Sequence, residues 1–299
     1  MVDLTLPREE RTLERTRRDG RPAAGVAVFA RGSAGLERPA FFLQEGHFGN
    51  TMSSVLITGC NRGLGLELVR QLLLHPQAPS VLIATCRKPE DAHALQTLAK
   101  AHSQLYVLKL EVNDFSSYDA FAQTVKSIVG DKGLNVLINN AGILLQNHSS
   151  FSNCTVESLT DTYVTNTVGP IMLVKALRPL LKLAADSNAD LPMGWSRAAI
   201  INMSSGLGSV GNNTLGSYFG YRESKAALNT ATRSMSYELG PQNIFVLSMH
   251  PGWVQTDLGT SQAPLTVEQS ISGMLAVFFS MKPEQHGAFL HWDGKEGIW

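Results

Sequence analysis

Tyr221 and Lys225 stand four residues apart in Tyr221-Arg222-Glu223-Ser224-Lys225. On a helix that spacing sets both side chains on one face, one turn apart. An ammonium beside a phenol favours the phenolate, so it lowers the tyrosine pKa towards the working range of a general acid–base group. Taken alone the pattern is common, and an aromatic core contact beside a solvated lysine gives the same letters. Other polar groups accompany it. Ser204 and Ser205 close the apolar run Ile200-Ile201-Asn202-Met203, and open α/β sheets place their ligands at that carboxyl edge. Asn139-Asn140-Ala141-Gly142 closes the preceding apolar run. Asn166 lies in Val164-Thr165-Asn166-Thr167-Val168-Gly169, inside a long helical segment where asparagine is a poor helix former. Something other than propensity must account for it.

A second cluster is Thr58-Gly59-Cys60-Asn61-Arg62-Gly63-Leu64-Gly65, between an apolar run and a helical stretch over residues 66–74. Glycines there let the chain turn sharply and bring backbone N–H groups close to a pyrophosphate. The helix N-terminus behind them favours negative charge. Turns collect glycine for ordinary reasons too, and it is the placement between strand and helix that points to a dinucleotide. An NAD-preferring fold needs an acid about 20 residues on, at the end of the second strand. Here that position reads Thr85-Cys86-Arg87-Lys88, two cations suited to a 2′-phosphate, and Arg62 could reach the same group. The cofactor expected is therefore NADP(H).

These residues need a scaffold, and the chain supplies one from residue 54 onward. Short Val-, Ile- and Leu-rich runs at 55–58, 81–85, 105–110, 134–139, 199–203, 244–249 and 288–292 alternate with longer helix-like segments, one of them over about 218–239. Continuous apolar runs suit strands covered on both faces, as in a parallel sheet. The alternation predicts right-handed βαβ crossovers and one α/β domain over residues 52–299: a Rossmann-type, doubly wound parallel sheet of about seven strands flanked by helices. Residues 1–51 differ. All their basic residues are arginine, periodicity is brief, and they read as a disordered N-terminal extension without a catalytic role. The acids Asp3, Glu9, Glu10, Glu14 and Asp19 argue against a mitochondrial presequence, and the apolar piece over 23–30 is short for a secretory signal.

Composition removes other classes. With 25 basic and 25 acidic residues in 299, formal net charge is zero, and no basic stripe is present for nucleic acid. Three cysteines without CxxC spacing argue against a disulfide framework or zinc site and for a reducing, cytoplasmic setting. Scattered histidines give no metal motif. No apolar stretch approaches the ~20 residues of a membrane span, so a soluble protein without a membrane partner is expected.

The motifs jointly resemble the classical short-chain dehydrogenase/reductase family over residues 52–299. TGxxxGxG at Thr58–Gly65, NNAG at Asn139–Gly142, the serine after the fifth strand, YxxxK at Tyr221–Lys225 and Pro251-Gly252 arrive in the family's order. The runs CNRGLGLELV, HPGWVQTDLG and WDGKEGIW are most similar to sniffer and C-factor-like carbonyl reductases. The resemblance implies a carbonyl reductase acting on an aldehyde, ketone or quinone. Tyr221 would protonate the carbonyl oxygen, and Lys225 would bond the nicotinamide ribose and hold the tyrosine pKa down. Ser205, chosen over Ser204 because Gly208 follows at the family's offset, would donate to the substrate oxygen. Asn166 would hold a water that links Lys225 to solvent. The cofactor-binding set it implies is Gly59, Asn61, Arg62, Gly63, Leu64, Gly65, Arg87, Lys88, Glu111, Val112, Asn139, Asn140, Ala141, Gly142, Pro251, Gly252, Val254 and Thr256, with Tyr221 and Lys225. Glu111-Val112 departs from the family's Asp-Val, and the stretch between Ser205 and Tyr221 is longer than usual. A short segment over 256–264, before a capping box at Thr266-Val267-Glu268-Gln269, suggests an open pocket. A homodimer is implied by resemblance, and an NADP(H)-binding regulator with little turnover is the rival reading.

Overall fold

The computed structural model describes residues 54–299, so the reading of residues 1–51 lies outside the described residues. Seven strands form the sheet: β1 (Ser54–Ile57), β2 (Val81–Cys86), β3 (Leu105–Lys109), β4 (Val136–Asn139), β5 (Ala199–Met203), β6 (Phe245–His250) and β7 (Phe289–His291). All neighbours pair in parallel, in the order β3-β2-β1-β4-β5-β6-β7. Chain direction across the sheet reverses between β1 and β4. Ligands of open α/β sheets bind at such a switch, outside the carboxyl ends of the strands.

Helices α1 (Gly63–Leu74), α2 (His93–Ala101), α3 (Tyr118–Val129), α4 (Val156–Tyr163), α5 (Gly169–Ser187), α6 (Tyr221–Leu239) and α7 (Val267–Phe279) cover both faces. Because strand side chains alternate between faces, Val55 and Ile57 of β1 enter one core layer with α1 and α7. Leu56 between them enters the other, with α3 and α5. Apolar residues on both faces are what make these strands continuous hydrophobic runs in the sequence. The α7 capping box is present: Gln269 N–H donates to Thr266 Oγ1 at 3.2 Å, and Thr266 N–H donates to Gln269 Oε1 at 3.0 Å.

Two local departures have physical causes. Helix α6 begins at Tyr221 and not near 218, because Gly216, Ser217, Tyr218 and Gly220 all have positive φ, between 57° and 79°. A right-handed helix cannot pass through that region. The segment bearing Asn166 is not one continuous helix. A π-turn over Val164–Val168 separates α4 from α5, and such turns are frequent at functional sites. Among the described residues no helix is long and apolar enough to cross a membrane, and no group of three His, Cys, Asp or Glu could hold a metal ion.

Candidate active site

The candidate proton-transfer residues converge from the turn after β5 and from α6. Ser205 follows β5 and starts the short 3₁₀ turn Gly206–Gly208, where its Oγ accepts Leu207 N–H at 3.1 Å. Tyr221 opens α6, and a hydrogen bond joins its phenol to the Ser205 side chain. Burial pushes the Tyr221 pKa up, and that bond pulls it part of the way back. The ammonium of Lys225 stands 5.7 Å from the tyrosine ring centroid and donates to Met203 O at 2.7 Å. The serine hydroxyl thus supplies a counter-pull on the phenol, and the lysine ammonium stands on the same helical face one turn away. Lys225 itself is only 4% exposed, and burial lowers its pKa to about 8.

Asn166 is fully buried, and its amide is committed on each side. Oδ1 accepts Ile143 N–H at 2.8 Å, while Nδ2 donates to Ile143 O at 2.9 Å and to Ser224 Oγ at 3.1 Å. Thr167 Oγ1 donates to Ser224 O at 2.8 Å. The π-turn therefore buries an asparagine that acts as a brace between the chain after β4 and α6. This accounts for a poor helix former in mid-helix. A Cβ on Gly142 would stand 3.1 Å from Asn166 Oδ1 and 3.5 Å from Lys225 Nζ, so the bare glycine lets lysine and asparagine approach one wall.

The glycine turn is held by its neighbour in the sheet. Ala141 N–H and Asn140 N–H both donate to Thr58 Oγ1 at 3.0 Å, and Asn140 Nδ2 donates to Thr58 O and Gly59 O. Gly59 and Gly63 have φ of 72° and 56°, where other residues are strained. A Cβ on Gly65 would collide with the Gly59 carbonyl oxygen and stand 2.7 Å from Asn140 Nδ2. What remains is a bare backbone cradle ahead of α1, with Asn61, Arg62, Gly63 and Leu64 at its rim, suited to a phosphate. Cys60 is buried beneath it with its thiol pushed far above the ordinary range, so it packs and does not react.

The remaining members of the expected set line the same carboxyl edge in different ways. Arg87 and Lys88 are exposed just beyond β2, and Lys88 Nζ lies 3.8 Å from Asp91. Arg62 turns to Asp257, Nη1 to Oδ2 at 3.0 Å, a pair that bridges the glycine turn and the loop after β6. Glu111 and Val112 form the turn after β3, with Val112 O accepting from Tyr118 Oη at 2.8 Å. Asn139 does not face the cleft: its Nδ2 donates to Asn202 Oδ1 at 2.8 Å inside the sheet. Pro251 O accepts from Ser270 Oγ, Gly252 has φ of 86°, Val254 bridges to Leu265, and Thr256 Oγ1 accepts Gly259 N–H at 3.1 Å. The Thr256 methyl lies 3.8 Å from where a Gly63 Cβ would be.

Some supporting residues escaped the sequence reading. Asn229 lies two turns beyond Tyr221, and its Oδ1 accepts from Ser204 Oγ and Ser248 Oγ, both at 2.6 Å, tying α6 to the ends of β5 and β6. The pairing of Ser204 with Asn229 leaves Ser205 as the serine at the phenol. Arg222 is buried and donates to Leu207 O, Gly216 O and Ser217 O. His250 is held near pKa 4 by burial and by His291, 5.0 Å away between ring centroids, so it is neutral behind the serine turn. Equal spacing of Tyr221, Lys225 and Asn229 was the one signal that could have flagged the asparagine.

The short chain dehydrogenase family model matches residues 53–264. An uncharacterized oxidoreductase of Schizosaccharomyces pombe is 34% identical over 255 residues, covering 80% of this chain and 94% of that protein. Among solved structures, the carbonyl reductase Sniffer of D. melanogaster superposes with a TM-score of 0.81 at 49% identity, covering 83% of this chain and all of the other. The NADPH-bound carbonyl reductase from chicken fatty liver gives 0.79 at 42% identity, over 83% of this chain and 99% of the other.

Proposed function

The chain belongs to the short-chain dehydrogenase family, and on that premise we propose that it is an NADP(H)-dependent carbonyl reductase acting on aldehydes, ketones or quinones. The observation that carries this reading is the Ser205–Tyr221 hydrogen bond set beside a buried Lys225, on the same carboxyl edge of the sheet as a glycine cradle that any side chain at position 65 would fill. Nothing in cofactor binding alone requires that hydroxyl pair.

The residues present fit a phosphorylated dinucleotide. The backbone N–H groups of the glycine turn and the N-terminus of α1 suit its pyrophosphate, and Arg87 and Lys88 suit a 2′-phosphate. When bound, the nicotinamide supplies hydride. The chain's own task is then the proton. Ser205 Oγ donates to the carbonyl oxygen and steadies charge as it develops there. Tyr221 gives its phenolic proton to that oxygen, completing the alcohol as hydride adds at carbon. A phenol whose pKa is raised by burial keeps its proton until the substrate oxygen demands it, which suits reduction. Protonated Lys225 offsets the phenolate that results, and Asn166 keeps the wall of Gly142 and Ile143 in place against α6. The carbonyl reductase titles of the structural relatives support the same substrate class.

The test is oxidation of NADPH and NADH by purified protein with a panel of aldehydes, ketones and quinones. NADPH should be favoured at least tenfold in kcat/KM, about 1.4 kcal/mol or more. The double substitution Arg87→Glu, Lys88→Glu should collapse that preference. Equal use of both cofactors, or a preference untouched by the double variant, would contradict the assignment.

A further inference from the structure

Three loops close the substrate side of the site and touch one another. The loop after β4, residues 142–155, meets the loop before α6, residues 206–220, where Phe219 N–H donates to Ser149 O at 2.8 Å. It meets the loop after β6, residues 251–266, where Gln146 Nε2 donates to Leu258 O at 3.4 Å. Gly142 and Ser205 begin the first two loops at the catalytic residues themselves, so the rim is continuous with the proton-transfer centre.

Across these three loops one residue, Asp257, is the only Asp, Glu, Lys or Arg, in a chain where 17% of residues carry such charges. Asp257 is already paired to Arg62. The cations that border the rim from α6 are turned into the protein: Arg222 to the carbonyls of Leu207, Gly216 and Ser217, and Lys225 to Met203 O. The rim instead holds large apolar side chains out in the open. Leu215 is 88% exposed, Phe151 80%, Val210 76% and Trp253 55%, and the Phe151 and Phe219 rings meet at 5.5 Å. Single exposed apolar residues are ordinary, whereas a group of them around one mouth marks a binding surface. Ser217 and Tyr218 hold left-handed backbone in the same loop, and strain of that kind persists where the surroundings enforce it. Arg222 bonds the carbonyls of Gly216 and Ser217 in that stretch.

Resting on the reductase reading, we propose that the substrate is an uncharged carbonyl compound with an apolar or aromatic body, and that the site selects against carbonyl compounds bearing a carboxylate, phosphate or ammonium. An ionised substituent entering this rim would shed water and find no unpaired opposite charge on the three loops, and a buried charge without a partner is costly. An apolar body would gain by covering Phe151, Leu215 and Val210.

Three aldehydes of one shape test this: methyl 4-formylbenzoate, 4-formylbenzoate and 4-formyl-N,N,N-trimethylanilinium, each with NADPH. The neutral ester should exceed both ions at least tenfold in kcat/KM. Leu215→Arg should lower the ester-to-carboxylate ratio at least fivefold. The same three compounds are then titrated into Tyr221→Phe protein loaded with NADPH, with binding read by saturation-transfer NMR. That reading does not depend on turnover, so failure of all three as wild-type substrates would remove the reductase assignment while binding still decides the charge selection. Carboxylate or ammonium bound or turned over as well as the ester overturns the proposal.

Discussion

Replacing Lys225 by methionine should destroy activity and stabilise the fold. The ammonium is 4% exposed, and burial lowers its pKa from an ordinary 10.5 to about 8. At about 1.4 kcal/mol per unit, holding this cation inside costs about 3 kcal/mol wherever it stays protonated. Methionine fills similar volume without the charge. It gives up the bond to Met203 O, which contributes about 1 kcal/mol, so the net gain at pH 7 is about 2 kcal/mol. For a domain of this size that raises Tm by roughly 4–8 °C. The pH dependence identifies the cause. Between pH 8 and 10.5 the unfolded chain still binds the lysine proton that the folded chain has released, so wild-type stability rises with pH in that window. The gap between variant and wild type should therefore be constant below pH 8, shrink above it, vanish near pH 10 and then reverse by about 1 kcal/mol, where only the lost bond to Met203 O remains. Thermal unfolding from pH 7 to 10.5 measures this directly. A variant less stable than wild type at pH 7, or a gap that stays flat across the window, would show that burial of the cation is not what the fold carries for function.

Two further outcomes follow from the same geometry. Gly65→Ala should weaken NADPH binding at least a hundredfold, because the new Cβ collides with Gly59 O, and fluorescence titration of NADPH would read it; binding within threefold of wild type would refute the cradle. Ser205→Ala removes the bond that lowers the Tyr221 pKa, so kcat should fall by 10- to 1000-fold and the alkaline limb of the pH profile should move to higher pH, whereas an unmoved limb would separate the serine from the phenol.

The fold and most of the site were legible because their signals are local. Parallel strands buried on both faces must be short apolar runs, and Thr58–Gly65 and Tyr221–Lys225 each satisfy their geometry within one turn of chain. The limits of legibility are equally physical. The start of α6 was read three residues early, since nothing in Ser217 or Tyr218 announces left-handed backbone in a stretch whose carbonyls bond a buried Arg222 of the next helix. Asn166 was visible as an anomaly, but its explanation, a π-turn bonded to Ile143 and Ser224, depends on elements brought together only by folding. The same holds for Asn139, whose motif suggested the cleft and whose amide turns to Asn202. Spacing alone placed Lys225 beside the phenol, but it could not tell that the ammonium also bonds Met203 O or that Ser205 reaches the phenol.

The most direct test of the account is Tyr221→Phe assayed against wild type with NADPH and methyl 4-formylbenzoate, alongside NADPH affinity for both proteins. Loss of only the phenolic proton donor should lower kcat at least a hundredfold while the Kd for NADPH stays within twofold. A Tyr221→Phe enzyme that retains wild-type turnover would contradict the central claim that this phenol delivers the proton.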